Sequence, residues 1–371
     1  MKKVAFIYFD DLHHINHFVG VAVKLSNNEN LKVDVLTYKN EHKYLKSLIK
    51  LLDGKNLNLV EVYPNRIRRI IDKLRNRRRP SALFLTKHNK KIMKSYDFLV
   101  FTDFKTTYFS EKDNTKFIYL SHGSGDRAYG YNIPKLEAFD LLLLAGNKIV
   151  ERALNEGMMD ANYKIVGYPK FDIALAEDKG IPLFNNSNKT ILYNPHNSKE
   201  LSSWYKHGFE VLEFFYHNKE YNLIFAPHMN LFNGKNFLKA DILDQKYFKA
   251  DNIHMDTGSE KSSNMSYTLA ADIYLGDVSS QIYEFIYKQR PCLFLNSNAV
   301  EWKNDANYLH WNLGSILSNP KELKNALQNI DAIHEPYKKT QKEYFEYTFH
   351  LTEDMNSSAR AAKEINLFIE K

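Results

Sequence analysis

The sequence predicts an α/β protein of two Rossmann-like, doubly wound domains with a cleft between them. Three observations predict it. Apolar runs alternate with helical patterns along most of the chain. The runs are continuous rather than alternating, as in strands covered on both faces of a parallel sheet. The 371 residues also exceed what one core of ordinary size holds.

In the first half the strands fall near 3–9, 32–37, 58–63, 97–102, 116–121, 139–144 and 163–166, as in Asp97-Phe98-Leu99-Val100-Phe101-Thr102. Helical spacing of apolar residues places helices near 15–26, 41–53, 66–78, 82–95 and 147–156. The polar break Asn185-Asn186-Ser187-Asn188-Lys189 suits a linker. Alternation then restarts, with strands at 190–194, 221–226, 251–255, 272–275 and 292–295 and helices at 200–216, 261–270 and 279–288. Helices near 320–330, 335–349 and 356–370 close the chain. The domains are therefore expected at 1–185 and 186–340, with 341–371 packing back across the first.

A hydrophobic share of 44% and a charged share of 26% are those of an ordinary globular protein, which sets disorder aside. Cys292 is the single cysteine, so disulfides and cysteine zinc sites are excluded, and its apolar run marks it as a buried thiol. The N-terminal apolar run stops at Asp10 and Asp11, too short for a signal segment, and no window nears the roughly 18 apolar residues of a membrane helix. A cytoplasmic protein is expected.

The net charge of +7 is local. Between Arg66 and Arg79 seven arginines and Lys73 stand against Asp72 alone, a balance equal to that of the whole chain. Ile67, Ile70, Ile71 and Leu74 fall at helical spacing within it, so basic and apolar faces separate on one helix. A solvated face is the plain reading. An anionic membrane surface is the functional one, at about 1 kcal/mol per basic residue, and would hold the protein peripherally on the inner face of the cell membrane. No stacking pattern or binding module accompanies the run, so nucleic acid is not expected.

Ligands of doubly wound sheets bind beyond the carboxyl ends of the strands, and four such ends carry chemistry. The first delivers Asp11, His13, His14 and His17. His13 and His17 share a helix face, but a third ligand of firm spacing is missing, so a loop meeting the acceptor is preferred to a metal site and no essential metal is expected. The fifth delivers Ser121-His122-Gly123-Ser124-Gly125-Asp126-Arg127. A histidine there, among small residues, can take a proton from a hydroxyl near neutral pH; the plain alternative is a ring satisfying a neighbouring carbonyl. In the second half, strand ends deliver Asn194-Pro195-His196-Asn197 and Ala226-Pro227-His228-Met229. Finally Gly276-Asp277-Val278-Ser279-Ser280 opens a helix, where free amides and serine hydroxyls suit a phosphate, and Glu284 one turn on suits the two hydroxyls of a ribose. Helix capping by Asp277 or the serines is the plain reading of the same residues.

Taken together, His122-Gly123-Ser124, Gly167-Tyr168-Pro169-Lys170-Phe171-Asp172, Pro227-His228 and Gly276-Asp277-Val278-Ser279-Ser280 stand in the order of motifs of the CDP-glycerol glycerophosphotransferases, the teichoic-acid and capsule polymerases. The resemblance runs from about Ile118 to Leu295 and implies the two-Rossmann-domain fold called GT-B. It also implies metal-independent transfer from a nucleotide-diphosphate donor such as CDP-glycerol to a glycan or lipid-linked acceptor. His122 would be the base and His228, Ser279 and Ser280 would hold the donor diphosphate. Asp277 would orient that site. Gly125-Asp126-Arg127 replaces the family's Pro-Leu-Lys, Pro227-His228-Met229 its Leu-His-Pro, and Asn194-Pro195-His196-Asn197 its Pro-Thr-Trp-Arg region. These departures keep open a GT-B glycosyltransferase using a nucleotide sugar. A non-catalytic binding protein and an epimerase of the same architecture are the readings from other classes.

Overall fold

The computed structural model describes residues 1–9, 12–38, 42–62, 66–74, 80–104, 114–159, 161–177, 183–233, 238–352 and 355–371. The chain forms two compact units. One comprises Met1–His122, Tyr131–Glu177 and Tyr347–Lys371; the other comprises Gly123–Gly130 and Asp178–Glu346. The short segment that follows His122 therefore belongs to the second unit although the strand before it belongs to the first.

Among the described residues the first unit has seven parallel strands: β1 (Lys2–Tyr8), β2 (Leu31–Tyr38), β3 (Asn58–Val62), β4 (Phe98–Phe101), β5 (Lys116–Leu120), β6 (Leu141–Leu144) and β7 (Tyr163–Ile165). Their order is β3-β2-β1-β4-β5-β6-β7, so the winding reverses between β1 and β4. Ile7 pairs with Phe101 and Phe101 with Tyr119, which brings the carboxyl ends of β1, β4 and β5 level. Val4, Phe6, Val100, Ile118 and Leu143 fill one core with the helix Ile15–Ser26. Burial of each such side chain is worth about 1.5–3 kcal/mol.

That helix is buried nearly all round because the helices Pro169–Ala176 and Ser357–Ile369 cover it. Gly20 lets the last of these approach, since a Cβ there would lie 2.5 Å from Ser358 Oγ. The Gly-Tyr-Pro-Lys-Phe-Asp segment makes the joint. Gly167 adopts φ +84, and a Cβ on it would meet His350 O at 2.6 Å. Tyr168 N–H donates to Ser357 Oγ (3.1 Å), and the Asp172 carboxylate accepts from Ser357 N–H (3.2 Å) and Ser358 N–H (2.6 Å), capping the closing helix. Burial pushes that carboxyl above its usual range.

The second unit has six parallel strands among the described residues: β8 (Thr190–Asn194), β9 (Asn222–Phe225), β10 (Ile253–Met255), β11 (Ile273–Gly276), β12 (Cys292–Leu295) and β13 (Ser315–Leu317). The order β10-β9-β8-β11-β12-β13 puts its reversal between β8 and β11. Ile191, Leu223, Phe225, Ile273, Leu275 and Leu293 form its core. Cys292 is buried and its thiol is pushed up by that burial.

Several helices differ from the periodicity. The span 82–95 is two helices, Ala82–His88 and Lys90–Met93, because Asn89 Nδ2 donates to Leu85 O and ends the first. The span 261–270 is broken by Met265 at φ 70, leaving Ser266–Ala270 as helix. β13 and the helix Pro169–Ala176 are additional to the sequence expectation. Of the basic segment, Arg66–Leu74 is helical and Arg75 to Arg79 lie outside the described residues. Arg68 turns inward to Asp72 (2.9 Å) and over the Phe84 ring, while Ile67, Ile70 and Leu74 are 70%, 60% and 81% exposed. The apolar stripe there faces outward. Among the described residues no helix is long and apolar enough to cross a membrane.

Candidate active site

At the level ends of β1, β4 and β5 the first unit gathers histidines. His13 and His14 sit on the turn Leu12–His14 after β1, and His122 follows β5 by two residues. The His14 ring lies 4.3 Å from those of both His13 and His122, and His13 lies 6.2 Å from His122. Thr102, the residue after β4, holds His14: its Oγ1 is 2.8 Å from Nδ1. His17 stands edge-on to His122 at 6.2 Å, fully enclosed, and burial drives it well below the usual imidazole range, with Lys170, His122 and His13 adding. His17 is therefore a neutral wall of the group.

In the second unit the reversal between β8 and β11 is organised by Asp277. Its carboxylate accepts from His196 N–H (2.9 Å), Ser203 N–H (2.6 Å), Ser203 Oγ (2.8 Å) and Val278 N–H (2.6 Å). Its backbone carbonyl accepts from Trp311 Nε1 (2.8 Å) and faces His310 Nε2 (3.1 Å). Burial raises the carboxyl, and the donated bonds oppose that rise. Asp277 shapes the turn and is itself 1% exposed, so it organises rather than touches a ligand.

Two imidazoles border that turn. The His196 and His228 rings are 5.4 Å apart. Ser198 N–H donates to His196 Nδ1 (3.0 Å) and Asn230 N–H to His228 Nδ1 (3.2 Å), so each ring carries its hydrogen on Nε2. Burial first, then His228 and Arg127, lowers His196 to about 3, which keeps it neutral. Pro227 precedes His228 at the end of β9, and His228 N–H is tied to Pro195 O at 2.9 Å.

The segment Gly123–Gly130 packs on the same turn. Gly123, at φ +75, has its Cβ direction 3.7 Å from Ser280 Oγ, and that of Gly125 lies 3.5 Å from Ser280 Cβ. Asp126 anchors it: the carboxylate accepts from Tyr283 OH (2.7 Å), from His310 N–H (3.0 Å) and at His310 Nδ1 (2.8 Å). Both ring nitrogens of His310 thus face oxygens, one on Asp126 and one on Asp277. Ser124 is buried and the Arg127 guanidinium lies 5.8 Å from the Tyr308 ring centre.

The helix expected from 279 opens only at Gln281 and ends at Phe285, with Ser280 at its N-cap. Five residues build little dipole, so any anion binding here rests on hydroxyls and loop amides. Ser279 Oγ accepts from Gln281 N–H (3.3 Å). Glu284, read as a ribose acceptor, is 3% exposed and buried within the unit. Arg290 is held by carbonyls of Ala271, Thr268 and Phe285 and lies over the Phe285 ring, with burial lowering it to about 10. Thr102, Ser203, Tyr283, His310 and Trp311 escape the sequence reading, because Thr102 follows its strand without a motif and the others lie away from strand ends.

Two parallel, doubly wound units, each with chemistry at its reversal point, define the fold class called GT-B. Within that class the chain belongs to the CDP-glycerol:poly(glycerophosphate) glycerophosphotransferase family, whose model matches residues 37–367. It is a transferase using a CDP-glycerol donor, and the family match favours this over the nucleotide-sugar alternative. In fold it is similar to the wall teichoic acid polymerase TagF soaked with CDPG, at a TM-score of 0.66 and 16% identity over 100% of this chain and 89% of that one. It is similar also to the S. aureus MnaA in complex with UDP (0.64, 14%, 100% and 97%) and to the UDP-GlcNAc 2-epimerase of Neisseria meningitidis bound to UDP-GlcNAc (0.63, 13%, 100% and 100%). At these identities the likeness is one of scaffold, which serves several chemistries. Comparison with curated protein sequences finds no match.

Proposed function

We propose that the chain moves glycerol phosphate from CDP-glycerol to a hydroxyl of a cell-surface glycan or lipid-linked acceptor, with His122 as the proton acceptor. The acceptor oxygen attacks the β-phosphorus, the bond from that phosphorus to the bridging oxygen breaks, CMP leaves, and the hydroxyl proton passes to His122. Such a displacement needs positioned donors more than covalent chemistry. The Nε2–H groups of His196 and His228 and the hydroxyls of Ser279 and Ser280 supply donors for the diphosphate. Asp277, Asp126 and His310 hold their backbone. No resident metal is assigned to the step. The observation that carries this reading is the packing of Gly123 and Gly125, which follow His122 in the chain, against Ser280 of the second unit's turn.

The same reading assigns the outward stripe Ile67, Ile70 and Leu74, on a helix rich in arginine, to an anionic membrane surface beside which a lipid-linked acceptor would be met. The protein would then be cytoplasmic and peripheral.

Purified protein incubated with CDP-glycerol and acceptor should release CMP, and His122→Ala should lower turnover by two or more powers of ten, about what loss of a general base costs. Release of a nucleoside diphosphate from nucleotide sugars in place of CMP, or a His122→Ala variant as fast as the parent, defeats the proposal.

A further inference from the structure

One side-chain group in the first unit has chemistry that the transfer reaction does not use. The ligand nitrogens of His13, His14 and His122 all lie within 4.8 Å of one another. The sequence gives no hint of this triad, because His122 is more than a hundred residues from the other two and meets them only through the adjacency of β1, β4 and β5. His14 is buried and forms the floor, while His13 and His122 are partly exposed.

We propose that His13, His14 and His122 bind a transition-metal dication, Zn²⁺ above all, and that its presence there takes His122 out of proton transfer. The donor set argues for the metal. Three neutral imidazoles suit zinc, cobalt, nickel or copper and not magnesium or calcium, which take oxygen ligands. At Zn–N distances of about 2.0–2.1 Å a tetrahedral site needs nitrogens roughly 3.4 Å apart, so binding would draw the three ligand nitrogens together from their present separation of up to 4.8 Å. Coordination of His14 through Nε2 preserves the contact of its Nδ1 with Thr102 Oγ1 (2.8 Å), the outer bond that commonly fixes a metal-bound imidazole. Three protein ligands leave a fourth position for water. A nitrogen lone pair shared with a cation cannot accept the acceptor's proton, so the metal is an inhibitor and the second half of the proposal rests on the reading of His122 as base.

The test uses the full chain stripped with chelator and titrated with Co²⁺, following its visible d–d absorption, then displaced with Zn²⁺. One Co²⁺ per chain is expected, with affinity at least about tenfold weaker in His13→Ala and about 10–100-fold weaker in Thr102→Val. His13 is partly exposed, so its variant should keep the parent's melting temperature. Absence of the band, or affinity unchanged in both variants, overturns the site. CMP release is measured separately, first in chelator and then with Zn²⁺. Suppression by Zn²⁺ that chelator reverses, and that needs correspondingly more metal in His13→Ala relative to that variant's own metal-free rate, supports inhibition; release indifferent to bound Zn²⁺ overturns it. No CMP release in chelator defeats the transferase proposal and leaves the cobalt titration to decide the site.

Discussion

Replacing Asp277 is the most demanding test of how the second unit builds its turn. Its carboxylate accepts from three backbone N–H groups, those of His196, Ser203 and Val278, and from the Ser203 hydroxyl. Asp277→Ala orphans all three amides in a site where the residue is 1% exposed. At about 1–3 kcal/mol per orphaned group the loss is about 3–9 kcal/mol before water enters the space left behind, against a typical total of about 5–15 kcal/mol. Asp277→Asn keeps one acceptor oxygen for His196 and Val278 and turns its NH₂ toward Ser203, whose hydroxyl can rotate to accept. One amide is then orphaned, at about 1–3 kcal/mol. The assay is urea unfolding followed by tryptophan fluorescence, because Trp204, Trp302 and Trp311 all belong to the second unit and Trp311 donates directly to the Asp277 carbonyl. The expected order of stability is parent, then Asn, then Ala, with the KM for CDP-glycerol rising in the Asn variant. An Ala variant within about 0.5 kcal/mol of the parent, the usual range for a surface change, would refute the assignment of Asp277 as organiser.

Three other outcomes are expected. His196 titrates near 6.5 in the unfolded chain and near 3 in the fold, so the folded state binds fewer protons below pH 6.5 and stability falls as pH falls through that window. At pH 5 the effect is at most about 2 kcal/mol, since the ring is partly exposed, and His196→Gln should flatten this acid limb in urea midpoints measured from pH 7 to pH 5; equal acid sensitivity in both proteins counts against it. Asp172→Ala removes the acceptor for two amides of the closing helix and should cost about 0.5–2 kcal/mol, read as faster amide hydrogen exchange in Ser357–Ile369. Replacement of Ile67, Ile70 and Leu74 by serine should weaken sedimentation with anionic vesicles about tenfold or more while leaving melting unchanged, because these side chains are already exposed; undiminished sedimentation removes the membrane role.

Much of the fold was legible because burial writes itself into local pattern. Runs such as Leu141-Leu142-Leu143-Leu144, short and repeated between helical patterns, read as strands covered on both faces, and the structure makes them so. Short helices were not legible: Asn89 ends one helix through a side-chain bond, and the left-handed backbone of Met265 delays the start of another, neither of which apolar spacing records. The stripe on Arg66–Leu74 was visible as a period, but a period does not say whether that face meets a core or the surroundings.

By itself the sequence determined the class of fold, the strand ends at which chemistry collects, and the histidines, serines and aspartates standing there. Only the tertiary structure decided which of them meet. Asp126 and His310 are 184 residues apart, and Gly123–Gly130 joins the unit opposite to the strand that leads into it. The physical reason is that apolar burial is satisfied by many neighbours and leaves a short-range period. A buried carboxylate or imidazole instead needs particular donors and acceptors, and the order and register of the strands alone fix which ones arrive.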